Sequence, residues 1–414
     1  MLNENLNTFL PRAMDTADQM RAASPVPSPS GGRKCAADHG KDTPCCGQGH
    51  AKGTTVPPSM QCPASQPTCK DYVYKSHMGA CSGGKAPPAP AQAGNTTKDR
   101  YIYMTQPWVV AFFLDCEKSG LKDWRNPQCG NGPSIIQCPN STTVARFKKA
   151  VKVMTLLLLL VLLLVLLLVL TLSPPVQDGD LFYQAFPHNG QPGTYEPSLF
   201  DSSIRMGARI SEQLGVKPPV CFSQRDETGM TRAILPLLNE AGVNMISLGS
   251  GGSSGGHPVI PDIFVWRDNS TKAEVLFVHD HGYGGGMHVL PNGHAIYCAW
   301  NTDNGGPQKL GSVQGTFKSL RSKYKGAKVY ASSFEDFYVA SGGKGSATMK
   351  GLPVVTAEIG DTWLYGCPSD PLKNVIFREI SRRRARCVAA GSCNVEDATM
   401  QRFDRMLTKI PEHT

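Results

Sequence analysis

The chain has 414 residues, enough for one large domain with appendages or for two domains. Its formal net charge of +9 is spread along the sequence, and the one dense basic cluster spans residues 382–386, where it reads as a solvated helix end. Because no nucleic-acid-binding motif accompanies this cluster, the sequence argues against a nucleic-acid partner.

The first 150 residues divide by composition. Residues 1–22 are expected to contribute a helix to the main domain, because apolar side chains recur every three or four residues. Residues 23–98 form a Pro-, Gly- and Ser-rich insertion and linker that is poor in aliphatic side chains. Its many cysteines predict disulfides and an oxidising compartment, with a zinc site as the alternative. Residues 99–150 return to the main domain, and the apolar run 108–114 predicts a buried strand.

Residues 154–172 contain thirteen Leu and three Val and carry no charge. As a helix this run would be about 28 Å long, close to the thickness of a bilayer's hydrocarbon core. Lysines precede the run, so the positive-inside rule would leave residues 1–150 in the cytosol. The pattern predicts a single-pass membrane protein of the secretory pathway or the extracellular space, with membrane contact through 154–172. The alternative is a repetitive insertion that does not span.

Strands and helices alternate in residues 177–414, which we expect to form the main α/β domain. Strands are predicted at 181–186, 243–248, 275–278, 295–300, 328–332 and 353–357, and helices at 203–214, 230–241, 313–324 and 370–390. This alternation favours a parallel sheet, either open or closed into a barrel. Ligands of such sheets bind at the carboxyl ends of the strands. Polar residues directly after each strand are therefore the candidates for function.

Two such segments carry acidic and imidazole groups. Asp226 follows an apolar segment and could be a nucleophile or a metal ligand, although such residues commonly cap the next helix. His279 and His281 are two residues apart at a strand end, so their side chains could point the same way and share a metal ion. An ordinary surface loop is the alternative for the two histidines.

Two later segments combine carboxylates with turn residues or aromatic rings. Asp303 follows the strand predicted at 295–300, within a sequence that is also typical of a tight turn. Asp361 is followed closely by Trp363 and Tyr365, and a carboxylate beside aromatic rings is typical of sugar sites. The two aromatic side chains could equally belong to the core.

Several long segments, in this order, resemble glycoside hydrolase family 38, the α-mannosidases, and in particular a divergent branch of that family. They read TQPWVVAFFLDC, AFPHNGQP, SQRDETGMTRAILPLL, FVWRD, HGYGG, EIGDTWLYG and KIPEHT. The resemblance covers residues 99–150 and 177–414, and it implies a seven-stranded (β/α) barrel-like fold, here incomplete, interrupted by the Cys-rich module and the apolar helix.

The resemblance also implies a glycan substrate and a zinc ion. By position, Asp226 resembles the nucleophile that also binds the metal, and Asp303 resembles the general acid/base; His279 and His281 would complete the zinc ligands. A retaining glycosidase needs two carboxyl groups about 5–5.5 Å apart. The substrate-binding residues implied in the same way are His188, Asn189, Tyr283, Asp361, Trp363 and Tyr365.

The sequence departs from the family pattern at its start. The family's first strand ends in a His-x-Asp motif that supplies metal ligands, and no such motif precedes the first helix of this chain. We therefore expect a glycoside hydrolase-like protein that is impaired as a catalyst. The alternative is a membrane-anchored glycan-binding protein without catalysis. A polysaccharide deacetylase is disfavoured because the H-x-x-x-H pair of that family does not occur.

Overall fold

The computed structural model describes residues 9–22, 99–119, 137–151, 179–227, 229–249, 260–301, 305–360 and 370–412, and the backbone of two short strands. The chain divides into two compact units. The first comprises residues 1–25, 98–317 and 330–414, and the second comprises residues 26–97 and 318–329. In the second unit, strands β1 (Cys69–Asp71) and β2 (Ala80–Cys81) pair antiparallel.

The remaining described elements are nine strands and ten α-helices. The strands are β3 (Tyr103–Thr105), β4 (Leu181–Tyr183), β5 (Cys221–Arg225), β6 (Met245–Gly249), β7 (Ile263–Arg267), β8 (Glu274–Asp280), β9 (Met287–Val289), β10 (Ala295–Tyr297) and β11 (Val354–Val355). The helices are α1 (Leu10–Ala22), α2 (Pro107–Asp115), α3 (Ser141–Val151), α4 (Pro197–Leu214), α5 (Leu235–Glu240), α6 (Leu310–Lys323), α7 (Phe334–Ala340), α8 (Ala347–Lys350), α9 (Pro371–Ala389) and α10 (Ala398–Leu407). Five of the strands, β6 to β10, follow one another without a helix between them.

The central sheet has five strands in the order β11-β7-β8-β6-β5. The pairs β5–β6, β6–β8 and β7–β11 are parallel, whereas β7 and β8 are antiparallel. A separate parallel pair joins β3 to β4. The protein is therefore a mixed α/β structure built on a mixed sheet.

The prediction of a seven-stranded barrel is wrong: the described strands do not close into a barrel. The physical reason lies between β7 and β8, where the chain turns within residues 268–273. Asp268 stabilises this turn, because its Oδ2 accepts hydrogen bonds from the backbone N–H of Thr271 (3.0 Å) and the hydroxyl of Ser270 (2.6 Å). A connection this short permits only an antiparallel partner, since a parallel one needs a crossover of a dozen or more residues.

Two further predictions of secondary structure are wrong. The apolar run 108–114 lies in helix α2, which begins at Pro107, a residue whose fixed φ suits the first turn of a helix. Seven of its residues are buried, including Trp108 and Phe113, so the helix lacks the polar stripe that would have distinguished it from a buried strand. Residues 328–332 form no strand.

Side chains alternate between two hydrophobic faces of the sheet. Phe222, Ile246 and Phe277 are fully buried on one face, in the cluster that also contains residues of α4. On the other face, Cys221, Met245 and Leu276 share a cluster with Phe334 and Phe337 of α7. Burial on both faces explains why these strands read as continuous apolar runs.

The prediction of a single-pass membrane protein is contradicted by the structure. In the part of the chain that is described, we find no helix of sufficient length and apolar character to traverse a bilayer. The run 154–172 itself lies outside the described residues. However, its two flanks meet, because the backbone N–H of Asp180 donates to the carbonyl oxygen of Ala150 over 3.0 Å, and β4 follows directly. A helix spanning about 28 Å would place its flanks on opposite sides of the membrane.

Two disulfides join described cysteines, Cys116 to Cys138 and Cys387 to Cys393. They indicate an oxidising environment, because disulfides persist in such compartments. The cysteines of residues 23–98, for which disulfides or a zinc site were expected, lie outside the residues whose side chains the structure describes.

The meeting of Ala150 and Asp180 leads to a prediction about the segment between them. Deleting residues 152–178 and joining the ends with a short Gly-Ser linker should leave the fold intact. Shortening the connection between Ala150 and Asp180 should raise the free energy of unfolding by about 1–2 kcal/mol, because the entropy cost of bringing two chain ends together grows with the number of residues between them. Urea unfolding followed by circular dichroism measures this. A variant in which the segment is replaced by Gly-Ser of equal length is the control, and a deletion that fails to fold would contradict the prediction.

Candidate functional site

Three parallel strands end side by side at one edge of the sheet. β5, β6 and β8 pair in register, so that Arg225 lies beside Gly249, and Gly249 lies beside Asp280. Residues paired in this way project from the same face of a sheet. The side chains of Arg225 and Asp280 therefore stand on one face with a glycine between them. We call this the carboxyl edge.

Gly249 leaves the space through which Arg225 approaches Asp280. A methyl group on Gly249 would lie 3.2 Å from Cδ of Arg225 and 2.5 Å from the carbonyl oxygen of Gly282. Nη2 of Arg225 donates to Oγ of Ser247 over 3.0 Å and lies 3.7 Å from Oδ2 of Asp280. Both charged side chains are buried, so each compensates the charge of the other.

Asp280 also belongs to a second group of polar side chains. Its Oδ1 accepts a hydrogen bond from the ring N–H at Nε2 of His288, which lies on β9, over 2.8 Å. Together with Cys298, which follows β10, these residues form the one group of three in the described chain that could hold a metal ion. One ligand atom from each residue lies within 4.8 Å of the others. We call Asp280, His288 and Cys298 the Asp–His–Cys group.

The chemistry of this group follows from its burial. Burial alone would raise the pKa of Asp280, but the hydrogen bond and charge of His288 and the charge of Arg225 hold that pKa below its usual value. Burial and the neighbouring carboxylate raise the pKa of the Cys298 thiol to about 12. The group therefore contains an anionic carboxylate beside a protonated thiol when no ion is bound.

Glycines give the loop between β8 and β9 its close contacts. A methyl group on Gly286 would lie 2.6 Å from Oδ1 of Asp280, in the space beside the hydrogen bond to His288. A methyl group on Gly284 would lie 2.8 Å from Cβ of Trp300. The glycines of the HGYGGG segment thus let the loop pack against the segment that follows β10.

Asp226 lies at the same carboxyl edge, directly after β5. Its backbone N–H donates to the carbonyl oxygen of Gly249 over 2.7 Å, and its φ of 67° is left-handed, a conformation that Asp adopts more readily than most residues. Oδ1 of Asp226 accepts a hydrogen bond from the hydroxyl of Tyr283 over 2.9 Å. Thr231, not Asp226, caps the following helical turn, since its hydroxyl accepts from the N–H of Ala233.

An aromatic stack stands beside Asp226. The ring of Tyr283 stacks on that of Trp300, with centroids 6.3 Å apart and planes inclined by 12°. Arg225 lies against the indole of Trp300, with Cζ 5.4 Å from the ring centroid, a cation–π distance. Trp300 is 42% exposed, so this aromatic surface is open to a ligand.

The segment that leads to Asp361 contacts Gly229 and Met230, three and four residues after Asp226. The backbone N–H of Met230 donates to the carbonyl oxygen of Ile359 over 2.6 Å. Gly229 makes this approach feasible, since a methyl group there would come 2.2 Å from the carbonyl oxygen of Gly360. Asp361, Trp363 and Tyr365 themselves lie outside the described residues, as does Asp303.

Of the predicted residues His188 and Asn189, Asn189 reaches the end of β5. Oδ1 of Asn189 accepts a hydrogen bond from the backbone N–H of Arg225 over 3.0 Å. His188 is fully buried, and burial together with the charge of Lys409 lowers its pKa to about 3, so the ring is neutral. His188 therefore has a buried environment, and Asn189 fixes the backbone of the site.

The two predicted metal-binding histidines occupy different environments. His279 is buried within β8, whereas His281 is exposed and its Nε2 lies 2.9 Å from Oδ1 of Asp262. Their ring centroids are 4.8 Å apart. The predicted ligand set of Asp226, His279 and His281 shares no residue with the Asp–His–Cys group, and it stays a prediction.

Sequence reasoning missed the Asp–His–Cys group and Arg225. Asp280 and Arg225 could have been found, because each is a polar residue at the carboxyl end of a strand. His288 lies on β9 and Cys298 directly follows β10, and the pairing of these two short strands could not be predicted from the sequence. Comparison with models of protein families gives no match for this chain, and comparison with curated proteins gives none either.

Proposed function

We propose that the carboxyl edge binds an α-linked glycan and that the chain is a glycoside hydrolase-like protein of α-mannosidase type. The observation that carries this proposal is the position of Asp226 beside the Tyr283–Trp300 stack. Sugar rings have apolar faces that pack on aromatic rings, while carboxylates accept hydrogen bonds from their hydroxyl groups. An exposed indole next to a carboxylate offers both interactions within one site.

In this proposal Asp226 is the nucleophile. In a retaining glycosidase the carboxylate attacks the anomeric carbon, and a second carboxyl group protonates the leaving oxygen and later deprotonates the attacking water. The hydrogen bond from Tyr283 would hold the Asp226 side chain in one orientation.

Asp303 is our candidate for the second carboxyl group. It comes three residues after Trp300, and the residues on either side of it are tied together, since Nδ2 of Asn301 donates to the carbonyl oxygen of Gly306 over 2.9 Å. The segment that bears Asp303 therefore begins and ends beside the aromatic stack. We include Asp361, Trp363 and Tyr365 in the proposed sugar site because the family resemblance implies it; the described residue Ile359, just before them, contacts Met230.

Zinc is the ion that we propose for this chain. The Asp–His–Cys group offers oxygen, nitrogen and sulfur donors, and zinc binds all three. In the family that the sequence resembles, the ion holds sugar hydroxyl groups, with Asp226, His279 and His281 as the corresponding ligands in this chain.

The test measures binding and turnover separately on the full chain. Isothermal titration calorimetry with α-linked mannose oligosaccharides reports binding, and release of nitrophenol from an aryl α-mannoside reports hydrolysis. Asp226→Asn should abolish hydrolysis but retain binding, because the amide keeps the shape of the carboxylate without its nucleophilicity. Trp300→Ala should weaken both. Tyr330→Ala, which removes an exposed ring elsewhere, is the matched control and should change neither.

A second candidate function is glycan binding without hydrolysis. It is favoured by one observation, namely that Asp226 is not a member of the metal-capable group, whereas the nucleophile of the family binds the ion. Binding by the wild-type chain that is lost in Trp300→Ala, without any turnover, would select this candidate. Absence of both binding and turnover would overturn both candidates.

A further inference from the structure

We propose that Asp280, His288 and Cys298 bind a zinc ion whose role is to position the aromatic stack rather than to contact the glycan. The metal-binding part of this proposal does not rest on the proposed function; only the link to glycan affinity does. The ion would be a second feature of the carboxyl edge, distinct from the sequence-predicted ligands Asp226, His279 and His281.

The donors are suited to zinc in type and nearly so in position. Zinc takes thiolate sulfur at about 2.3 Å and imidazole nitrogen or carboxylate oxygen at about 2.0–2.2 Å. Around a tetrahedral ion, such bonds place the ligand atoms roughly 3.3–3.8 Å apart. Because the donor atoms of the group already lie within 4.8 Å of one another, movements of about an ångström complete the site. The fourth position is left for water.

The polar atoms of the group are buried and only partly satisfied. Asp280 and His288 are 2% and 3% exposed. Nδ1 of His288 is buried and makes no hydrogen bond, and Oδ2 of Asp280 is buried with only the ion pair to Arg225 at 3.7 Å. Buried polar atoms without partners are rare, and a bound ion is one of the features that explain them. This observation, independent of the clustering, favours a ligand at this place.

The charges around the group accommodate a divalent ion. Cysteine binds zinc as a thiolate, so binding transfers the Cys298 proton to solvent. The carboxylate, the thiolate and Zn²⁺ then sum to zero, which leaves the single positive charge of Arg225, whose Nη2 donates to Oγ of Ser247. The guanidinium lies 3.7 Å from Oδ2 of Asp280.

The order of residues along the chain connects this site to the aromatic stack. Tyr283 lies between the ligands Asp280 and His288, and Trp300 comes two residues after the ligand Cys298. An ion holding the three ligands would join the end of β8 to the hairpin β9–β10 and so fix the two segments that carry the stacked rings. Loss of the ion should loosen the stack although the ion never touches a sugar.

The experiment uses the purified full chain and the metal alone. Cobalt(II) is added first, because it replaces zinc and gives a charge-transfer absorption band when a thiolate binds it. Zinc is then titrated in, and the loss of the cobalt band gives the zinc affinity. We expect the band in the wild-type chain and its loss in Cys298→Ser and His288→Gln. The zinc affinity of these variants should fall by more than the roughly 10–100-fold that is lost when a residue beside a metal ligand is replaced. Circular dichroism checks that each variant is folded.

Matched controls separate this site from other cysteines and histidines. Cys221→Ser changes the other free cysteine of the described chain, which is buried, and its cobalt band should match that of the wild type. His281→Ala removes the sequence-predicted ligand and should also keep it. A band lost in His281→Ala and retained in His288→Gln would overturn the proposal, and so would a wild-type chain that shows no Cys298-dependent band.

The positioning role has its own readout. Removing zinc with a chelator should weaken the affinity of the wild-type chain for mannose oligosaccharide by at least about tenfold. In Cys298→Ser the affinity should be the same with and without zinc. If zinc binds through the group but leaves an established glycan affinity unchanged, the positioning role is wrong while metal binding stands. If no glycan binds at all, the proposed function fails and the cobalt result remains valid.

Discussion

Replacing Asp404 by Asn is expected to lower the free energy of unfolding by about 3–5 kcal/mol, because it leaves a buried guanidinium without its counter-charge. Oδ1 and Oδ2 of Asp404 accept hydrogen bonds from Nε and Nη2 of Arg384, both over 2.6 Å. The Arg384 side chain is fully buried. Ser202 of α4 donates to Oδ2 of the same carboxylate over 2.6 Å, so the pair ties α9 and α10 to α4.

Arg383 provides a matched control one residue away. It also forms an ion pair on α9, donating from Nε to Glu379 over 2.8 Å, but its side chain is 76% exposed. Glu379→Gln should therefore change the free energy of unfolding very little, because exposed ion pairs on helices contribute little to stability. Urea unfolding of the two variants and the wild type measures the difference. Equal losses for Asp404→Asn and Glu379→Gln would contradict the argument.

The ion pair between Arg384 and Asp404 could not be predicted from the basic cluster 382–386. The cluster was expected to be a solvated helix end, and this holds for Arg382 and Arg383, which are exposed. It fails for Arg384, because the carboxylate that permits its burial comes from Asp404, twenty residues further along the chain. Burial of a charge depends on a partner that spacing along one helix cannot identify.

The positions of two inner strands, β6 and β8, were predictable, but the way in which the strands pair was not. The segments 243–248 and 275–278 were predicted as strands and correspond to β6 and β8. The strand β7 was missed, and its antiparallel pairing with β8 is the feature that the barrel prediction lacks. Hydrophobic pattern identifies a buried strand without specifying its neighbour, and the turn at Asp268 was the local signal that could have indicated the hairpin.

The candidate site was predicted in part. The criterion of polar residues after strands led to Asp226, and the resemblance led to Tyr283; the structure joins these two by a hydrogen bond. The same criterion could not reveal that Trp300 stacks on Tyr283, since the contact depends on Gly284 having no side chain. Close approaches of this kind are set by tertiary packing, and a glycine in the sequence shows only that one is feasible.

Glu335 is expected to make the stability of this protein fall as the pH rises from about 4.5 to about 8. Its Oε1 accepts a hydrogen bond from the backbone N–H of Val220 over 3.2 Å, and its Oε2 is buried without a hydrogen-bond partner, although the rest of the residue is partly exposed. Burial of the carboxyl group raises its pKa from 4.5 to about 8, against the opposing effect of backbone hydrogen bonds from Val220 and Cys221.

The direction follows from counting protons in the two states. Between pH 4.5 and 8 the folded chain keeps the Glu335 proton, whereas the unfolded chain has lost it, so raising the pH favours unfolding. Below this window both states are protonated, and above it the full cost of the buried charge is present. A difference of this size in pKa corresponds to roughly 5 kcal/mol.

Glu335→Gln should remove this dependence, because the amide has the shape of the carboxyl group and does not ionise. Relative to the wild type, the variant should be more stable at pH 8.5 than at pH 4.5 by roughly 4 kcal/mol, measured by urea unfolding at each pH. Taking the difference between variant and wild type cancels the other groups that titrate. Glu212→Gln, which changes an exposed carboxyl group on α4, is the matched surface control. If the stability difference between Glu335→Gln and the wild type is the same at both pH values, the Glu335 carboxyl group ionises alike in the folded and unfolded chain and the prediction is wrong.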